Sequence, residues 1–175
     1  MDHSSTTQTT VEIDVLLELR DYLKANYWFI FRRFRLVLLV FGFGAVYPLV
    51  LLILGELDTQ NSGFWAYFLP PAMLAILFAA TYFNTKKHMA SNKSLSERVH
   101  YVFSESGIET TAPSFSGQIA WQNVYKAYET RSNFLIFISK NMMYIIPKRC
   151  FVSVEQIASF KTLVLSQLDQ KAKWK

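Results

Sequence analysis

Two long apolar runs dominate the pattern of this chain. The first is Leu36 to Leu54 (LVLLVFGFGAVYPLVLLIL), the second Phe64 to Phe83 (FWAYFLPPAMLAILFAATYF), and neither holds a Lys, Arg, Asp or Glu. Runs of about 20 apolar residues match a bilayer hydrocarbon core of about 30 Å. With only Gly55 to Gly63 (GELDTQNSG) between them, the two runs predict a transmembrane helical hairpin over 36–83. A buried hairpin in the core of a soluble protein is the competing reading, and core helices seldom run so far without a charge. The first run is also longer than a signal-peptide core and is followed by no small-x-small cleavage site.

The flanks of the runs give an orientation. Arg32, Arg33 and Arg35 precede the first, and Lys86, Lys87, Lys93 and Arg98 follow the second. The connector holds Glu56 and Asp58 and no basic residue. Because Lys and Arg near span ends stay on the cytoplasmic side, both termini are expected in the cytoplasm. Both sets of basic residues should then line one membrane face, where anionic headgroups are their natural partners. Pro48, and Pro70 with Pro71, predict kinks inside the spans. Gly42, Gly44 and Ala45 form a small-residue patch suited to helix contact.

Elsewhere the pattern changes period. Residues 1–10 (MDHSSTTQTT) are polar and predict a disordered start. Residues 11–17 (VEIDVLL) alternate as a strand, with Val11, Ile13 and Val15 on one face. A lone strand is unstable, so it should join a sheet formed beyond the hairpin. Residues 18–35 predict a juxtamembrane helix with interfacial aromatics Tyr27, Trp28 and Phe31, and 84–98 a polar, basic linker. From Val99 onward, six short strands are predicted: Val99 to Phe103, Ile108 to Ala112, Gln118 to Trp121, Val124 to Thr130, Phe134 to Ser139 and Met142 to Ile146. Turns fall at Ser106-Gly107, Pro113 to Gly117 and Lys140-Asn141. Pro147 stops the last strand. Ser153 and Gln156 form a capping box for a final helix, whose apolar face reads as Val154, Ile157, Ala158, Val164, Leu165 and Leu168, widened by Phe160. A basic tail fills 169–175. The fold class expected is a membrane α-helical hairpin plus an α+β soluble domain over 99–168. That domain would be a pleckstrin-homology-like antiparallel sheet or partial barrel, capped by the C-terminal helix, with residues 11–17 as the missing strand.

Charge and chemistry change this picture little. The formal net charge is +5, but the basic residues cluster beside the spans, where lipid rather than nucleic acid explains them. Cys150 is the one cysteine, which rules out an intramolecular disulfide and suits a reducing compartment. Its thiol follows Lys148 and Arg149, a context that can lower a thiol pKa, although a small packed residue is the commoner role. His3, His88 and His100 show no metal-ligand spacing. There is no phosphate loop and no nucleophile elbow, so catalytic, cofactor and metal sites are all expected to be absent. Trp121, Lys148 and Arg149 are the candidate binding surface. The alternatives are a core role for Trp121 and pairing of the two cations with carboxylates such as Glu129 or Glu155.

Several short stretches resemble the YcxB-like family of bacterial membrane proteins. They are Tyr101-Val102-Phe103, Gly107-Ile108-Glu109-Thr110, Ile119-Ala120-Trp121, Tyr125 to Thr130 (YKAYET), Phe134 to Ile138 (FLIFI) and Ile146-Pro147-Lys148-Arg149, with Phe151 beyond. The resemblance covers roughly residues 10–168. It implies two membrane spans before a domain similar to a bacterial pleckstrin-homology domain, in the bacterial inner membrane, and it brings no catalytic set to map.

The expected function is a non-enzymatic inner-membrane protein that presents a small cytoplasmic sheet domain to a protein partner, a second copy included, or to a lipid surface. The alternative is an immunity or resistance protein that protects the membrane against a toxin or peptide.

Overall fold

The structure is a computed structural model that describes residues 10–56 and 66–174, apart from the side chains of residues 45, 93 and 96. The polar start (1–9) and most of the connector between the apolar runs (57–65) lie outside the described residues. Two compact units emerge. One joins the chain up to Tyr22 with the chain from Ser91 onward, and the other is Leu23–Ala90.

The first unit is built on strand alternation. β1 (Val11–Leu16) points Val11, Ile13 and Val15 inward and leaves Glu12, Asp14 and Leu16 outside. It pairs antiparallel with β2 (Arg98–Ser104), Ile13 opposite Tyr101 and Val15 opposite Val99. β3 (Gly107–Ala112) and β4 (Phe115–Ile119) complete a four-stranded antiparallel sheet in the order β1-β2-β3-β4. A side chain is excluded at Gly107, where φ is +153° and an added Cβ would lie 2.5 Å from the Ile119 carbonyl oxygen. The turn expected over Pro113 to Gly117 is shorter than the sequence suggests. Ala112 already faces Phe115, so two residues, Pro113 and Ser114, make the hairpin and β4 starts early.

The second sheet contains β5 (Lys126–Glu129), β6 (Asn133–Phe137), β7 (Met143–Pro147) and the two-residue β8 (Ala172–Lys173), in the order β7-β6-β5-β8. Its β5–β8 pairing is parallel, so this sheet is mixed. The unbroken apolar run of β6 is buried along its whole length, as such runs are when both sheet faces are covered. The strands do not close into a barrel: β1 and β4 remain edges of one sheet, β7 and β8 of the other.

Helix α4 (Val154–Leu168) joins the two sheets at one core. Phe160 is its hub, with ring centroids 4.9 Å from Phe103 of the first sheet, 4.9 Å from Phe134 of the second and 5.3 Å from Phe151. The buried face is Phe160, Leu163, Val164 and Leu168. The sequence-derived face is therefore rotated from the true one, since Val154 and Leu165 are exposed and Ala158 with them. Ser153 caps the helix by accepting from the Gln156 amide at 3.2 Å. The Gln156 side chain takes a bond from the Val152 amide and gives one to the Glu12 carbonyl, covering the open edge of β1.

The second unit is helical. α1 (Leu19–Arg33) runs into it, followed by α2 (Arg35–Ile53) and α3 (Leu69–Ser91). α2 and the helical stretch Ala66–Ser91 are each long and apolar enough to cross a membrane. Their apolar windows have none of their residues buried. Within this unit Tyr47 packs on Tyr67, and a Cβ at Gly44 would meet the Pro70 ring at 3.1 Å. Gly44 thus serves a contact between α2 and α3, whereas Gly42 faces open space. Pro70 and Pro71 do not interrupt a helix as expected. They occupy the first turn of α3, where amides lack intrahelical acceptors and proline costs nothing.

Candidate functional site

Asn26 donates to Thr85 Oγ1 at 3.1 Å, the Tyr27 hydroxyl donates to the Phe78 carbonyl at 3.2 Å, and Phe31 packs on Phe78 at 5.8 Å. These contacts set the register of α1 against α3. Arg32 and Arg33 follow directly after the residue that meets Phe78, while Lys86 and Lys87 lie beyond Thr85. Eight residues of helix separate Phe78 from Lys86, about 12 Å at 1.5 Å per residue. The two basic groups expected along one membrane face therefore sit at two levels along the helices. Apolar residues continue past the arginine level on α3, through Tyr82 and Phe83, beside the aromatic residues of α1. Arg32, Arg33, Arg35, Lys86 and Lys87 are exposed. The Arg32 guanidinium lies 5.5 Å over the Trp28 ring. The Lys93 side chain lies outside the described residues.

The proposed surface trio does not form one surface. Trp121 is 5% exposed and belongs to the core. It sits in a 3-10 turn between β4 and β5, and its indole N–H donates to the Ser104 carbonyl at 2.7 Å. As a binding-surface residue it is corrected: a large ring whose one polar atom finds a backbone partner is satisfied inside the core.

Lys148 and Arg149 occupy the 3-10 turn after β7 but point to different carboxylates. Lys148 binds one oxygen of Glu129, and Lys161 of α4 binds the other at 2.8 Å. The Glu129 side chain is only 9% exposed. Burial would raise its pKa, but hydrogen bonds and charge from Lys148 and Lys161 outweigh that and hold it below the usual carboxylate range. Lys148 also lies 5.1 Å over the Phe134 ring. Arg149 instead reaches Asp21 at 2.6 Å, Glu18 at 3.1 Å and the Leu16 carbonyl at 3.1 Å. Asp21 is almost fully buried and also accepts the Glu18 amide, which caps the start of α1. Both cations thus neutralise buried carboxylates: Lys148 ties the β7 turn to β5, with Lys161 tying the same Glu129 to α4, and Arg149 ties the β7 turn to the β1–α1 corner. Beside them Cys150 is half-buried, and burial pushes its thiol pKa up against the opposing pull of Arg149. It is not an activated thiol.

His100 stands on the outer face of β2, with its ring nitrogen Nδ1 3.0 Å from Asp14 Oδ1 and Nε2 3.8 Å from Glu12. These are exposed cross-strand contacts between β1 and β2. No cluster of three or more His, Cys, Asp or Glu suited to a metal ion occurs among the described residues.

One feature of the first unit has no counterpart in any local motif. A partly open cavity of about 230 Å³ lies where β1 and β2 of the first sheet meet β7 of the second. Tyr22, Tyr101 and Tyr144 line it, together with Leu95, Glu97 and Met143. Burial pushes the Tyr22 phenol up to about 12 and raises those of Tyr101 and Tyr144, so all three stay neutral. The three tyrosines come from α1, β2 and β7, and no spacing along the chain could have grouped them.

Comparison with known proteins gives one match. A model of a protein family described as YcxB-like protein matches residues 103–164, about a third of the chain. That stretch runs from the end of β2 to the middle of α4. Neither the curated proteins nor the solved structures provide a match.

Proposed function

Taking the YcxB-like character of residues 103–164 as the premise, we propose that this is a non-enzymatic protein of the bacterial inner membrane. α2 and α3 are its two spans, both termini are cytoplasmic, and a pleckstrin-homology-like sheet domain is offered to a protein partner or to the lipid surface. The observation that carries this reading is the exposure of the helical unit's apolar side chains. Phe43 is 76% exposed and Ile53 83%, on helices without a charged residue between Arg35 and Glu56. Continuous apolar surface of that extent calls for an apolar environment. Two sheets packed through a terminal helix support the pleckstrin-homology-like reading.

In this reading Arg32, Arg33 and Arg35 mark the headgroup level, with Tyr27, Trp28, Phe31, Tyr82 and Phe83 as the interfacial aromatic layer. Lys86 and Lys87 stand about 12 Å further from the hydrocarbon, a little over the Debye length of about 8–10 Å at physiological salt. The arginines are then the main lipid contact, at about 1 kcal/mol each on an anionic surface, and the lysines add less. The Lys148 and Arg149 charges are matched by carboxylates, which favours a structural role over a phosphate site. The net positive charge serves the membrane surface, and nucleic acid is not a partner.

The experiment is chemical crosslinking of the full chain in its membrane, followed by gentle solubilisation and recovery. The proposal expects crosslinks from the sheet domain to a protein, a second copy included, that disappear when Phe160→Ala disrupts that domain. Recovery of the same crosslinks with the disrupted domain would place the interaction in the hairpin and overturn the reading. Retention of the chain in the soluble fraction after alkaline extraction would overturn the membrane assignment itself.

A further inference from the structure

We propose that the cavity between β1, β2 and β7 is a binding site for a small uncharged molecule with an apolar body and a single hydroxyl or carbonyl group. Val15, Val99 and Ile145 make the cavity wall mostly aliphatic. An apolar cavity of about 150 Å³ stays dry and accepts a benzene ring, so about 230 Å³ suits a substituted ring or a short branched chain. Phe115 is the exposed member of the wall and marks its mouth.

The polar groups define the rest. Tyr22 donates to the Leu95 carbonyl at 3.5 Å. Tyr101 is 4% exposed and lines the cavity, and its phenol is the group to which an occupant's oxygen can hydrogen-bond. Among the described residues no Lys, Arg or His lines the cavity, so none of them compensates an anion. Glu97 opposes an anion further, and its carboxylate already accepts the Ser114 amide at 3.0 Å and the Ser114 hydroxyl at 2.7 Å. A cation would have to give up its hydration for a carboxylate that is already engaged. A neutral molecule meets neither cost.

Every residue that lines the site belongs to the sheet unit. This inference is independent of which partner the domain binds.

The test uses the full chain in nanodiscs of zwitterionic lipid, with the methionine methyl groups labelled for NMR. Met143 lines the cavity, its neighbour Met142 is exposed, and Met73 on α3 reports partitioning of the probe into the bilayer. The probe is p-cresol, with benzoate and benzylammonium as charged counterparts of similar size. A saturable shift confined to Met143 with p-cresol is the expected result. Tyr101→Phe, which keeps the ring, should weaken the apparent Kd about five- to tenfold, as loss of one hydrogen bond does. Leu95→Trp should fill the cavity and remove the shift. A Met143 response that never saturates, that benzoate or benzylammonium reproduces at equal concentration, or that is unchanged in Tyr101→Phe would overturn the proposal.

Discussion

The two units use the same apolar residue types in opposite ways. In the sheet unit Phe103, Phe134 and Phe160 are fully buried against one another, and every inward residue of β1 and β2 joins one core. In the helical unit Phe31, Phe43 and Phe83 are exposed, along with nearly every Leu and Val of α2. The pattern decides which fate follows. Alternation at period two gives each strand one face to bury and one to solvate. An uninterrupted run gives a helix no polar face, so intramolecular packing cannot cover it and the surrounding medium must. The sheet unit therefore brings its own apolar interior, while the helical unit leaves its apolar side chains exposed.

Disrupting the hub should separate the two most sharply. Phe160→Ala removes a ring that touches both sheets, and losses of about 3–5 kcal/mol are typical for such truncations. Protease resistance of the sheet unit should collapse, while α2 and α3 remain protected in the bilayer. Loss of both together would mean that the units fold as one and would break the comparison.

A smaller effect is expected at Glu129. Its folded pKa lies below its unfolded value, so the ion pairs contribute stability above the ordinary carboxylate range. That contribution is lost as pH falls through the lowered folded value. Denaturant titrations of the full chain in nanodiscs between pH 7 and 3 should show this acid limb. Glu129→Gln should flatten it and cost about 1–3 kcal/mol at pH 7, because Lys148 and Lys161 lose their counter-charge. An unchanged acid limb would remove Glu129 from the account.

The smallest effect sharpens the helical side. Gly44→Leu must push α2 away from Pro70, whereas Gly42→Leu adds a side chain to open space. Distances between spin labels on α2 and α3 should lengthen for the first and stay unchanged for the second. Neither should alter the sheet unit's unfolding free energy by more than about 0.5 kcal/mol, the usual range for sites distant from the core.

What the sequence could disclose follows from the range of its signals. Strand alternation in Val11 to Leu17, the capping residues Ser153 and Gln156, and the stop at Pro147 are local chemistry, and they read correctly over a gap of some eighty residues between β1 and β2. The rotation of the α4 face was not legible, because Val154 and Leu165 are as apolar as Leu163 and only the packed sheets distinguish them. Trp121 read as a core anchor with a binding-surface role as the alternative, and its partner, the Ser104 carbonyl, decides for the core. The pairing of Arg149 with Asp21 spans 128 residues, and the tyrosine-lined cavity draws on three distant segments. Long-range groupings of that kind leave no periodicity to read. The stagger of the two basic groups escaped for a related reason: charge counting locates span ends but does not set helix register.

The account rests centrally on a hairpin that crosses the bilayer with the sheet unit on the cytoplasmic side. The most direct test exploits the lone thiol. In a Cys150→Ser background, Thr59→Cys and Lys175→Cys are made separately, and intact spheroplasts are treated with a membrane-impermeant maleimide. The account predicts labelling of the Thr59→Cys protein at once and of the Lys175→Cys protein only after the membrane is permeabilised. Labelling in the reverse order, or of both sites before permeabilisation, would contradict it.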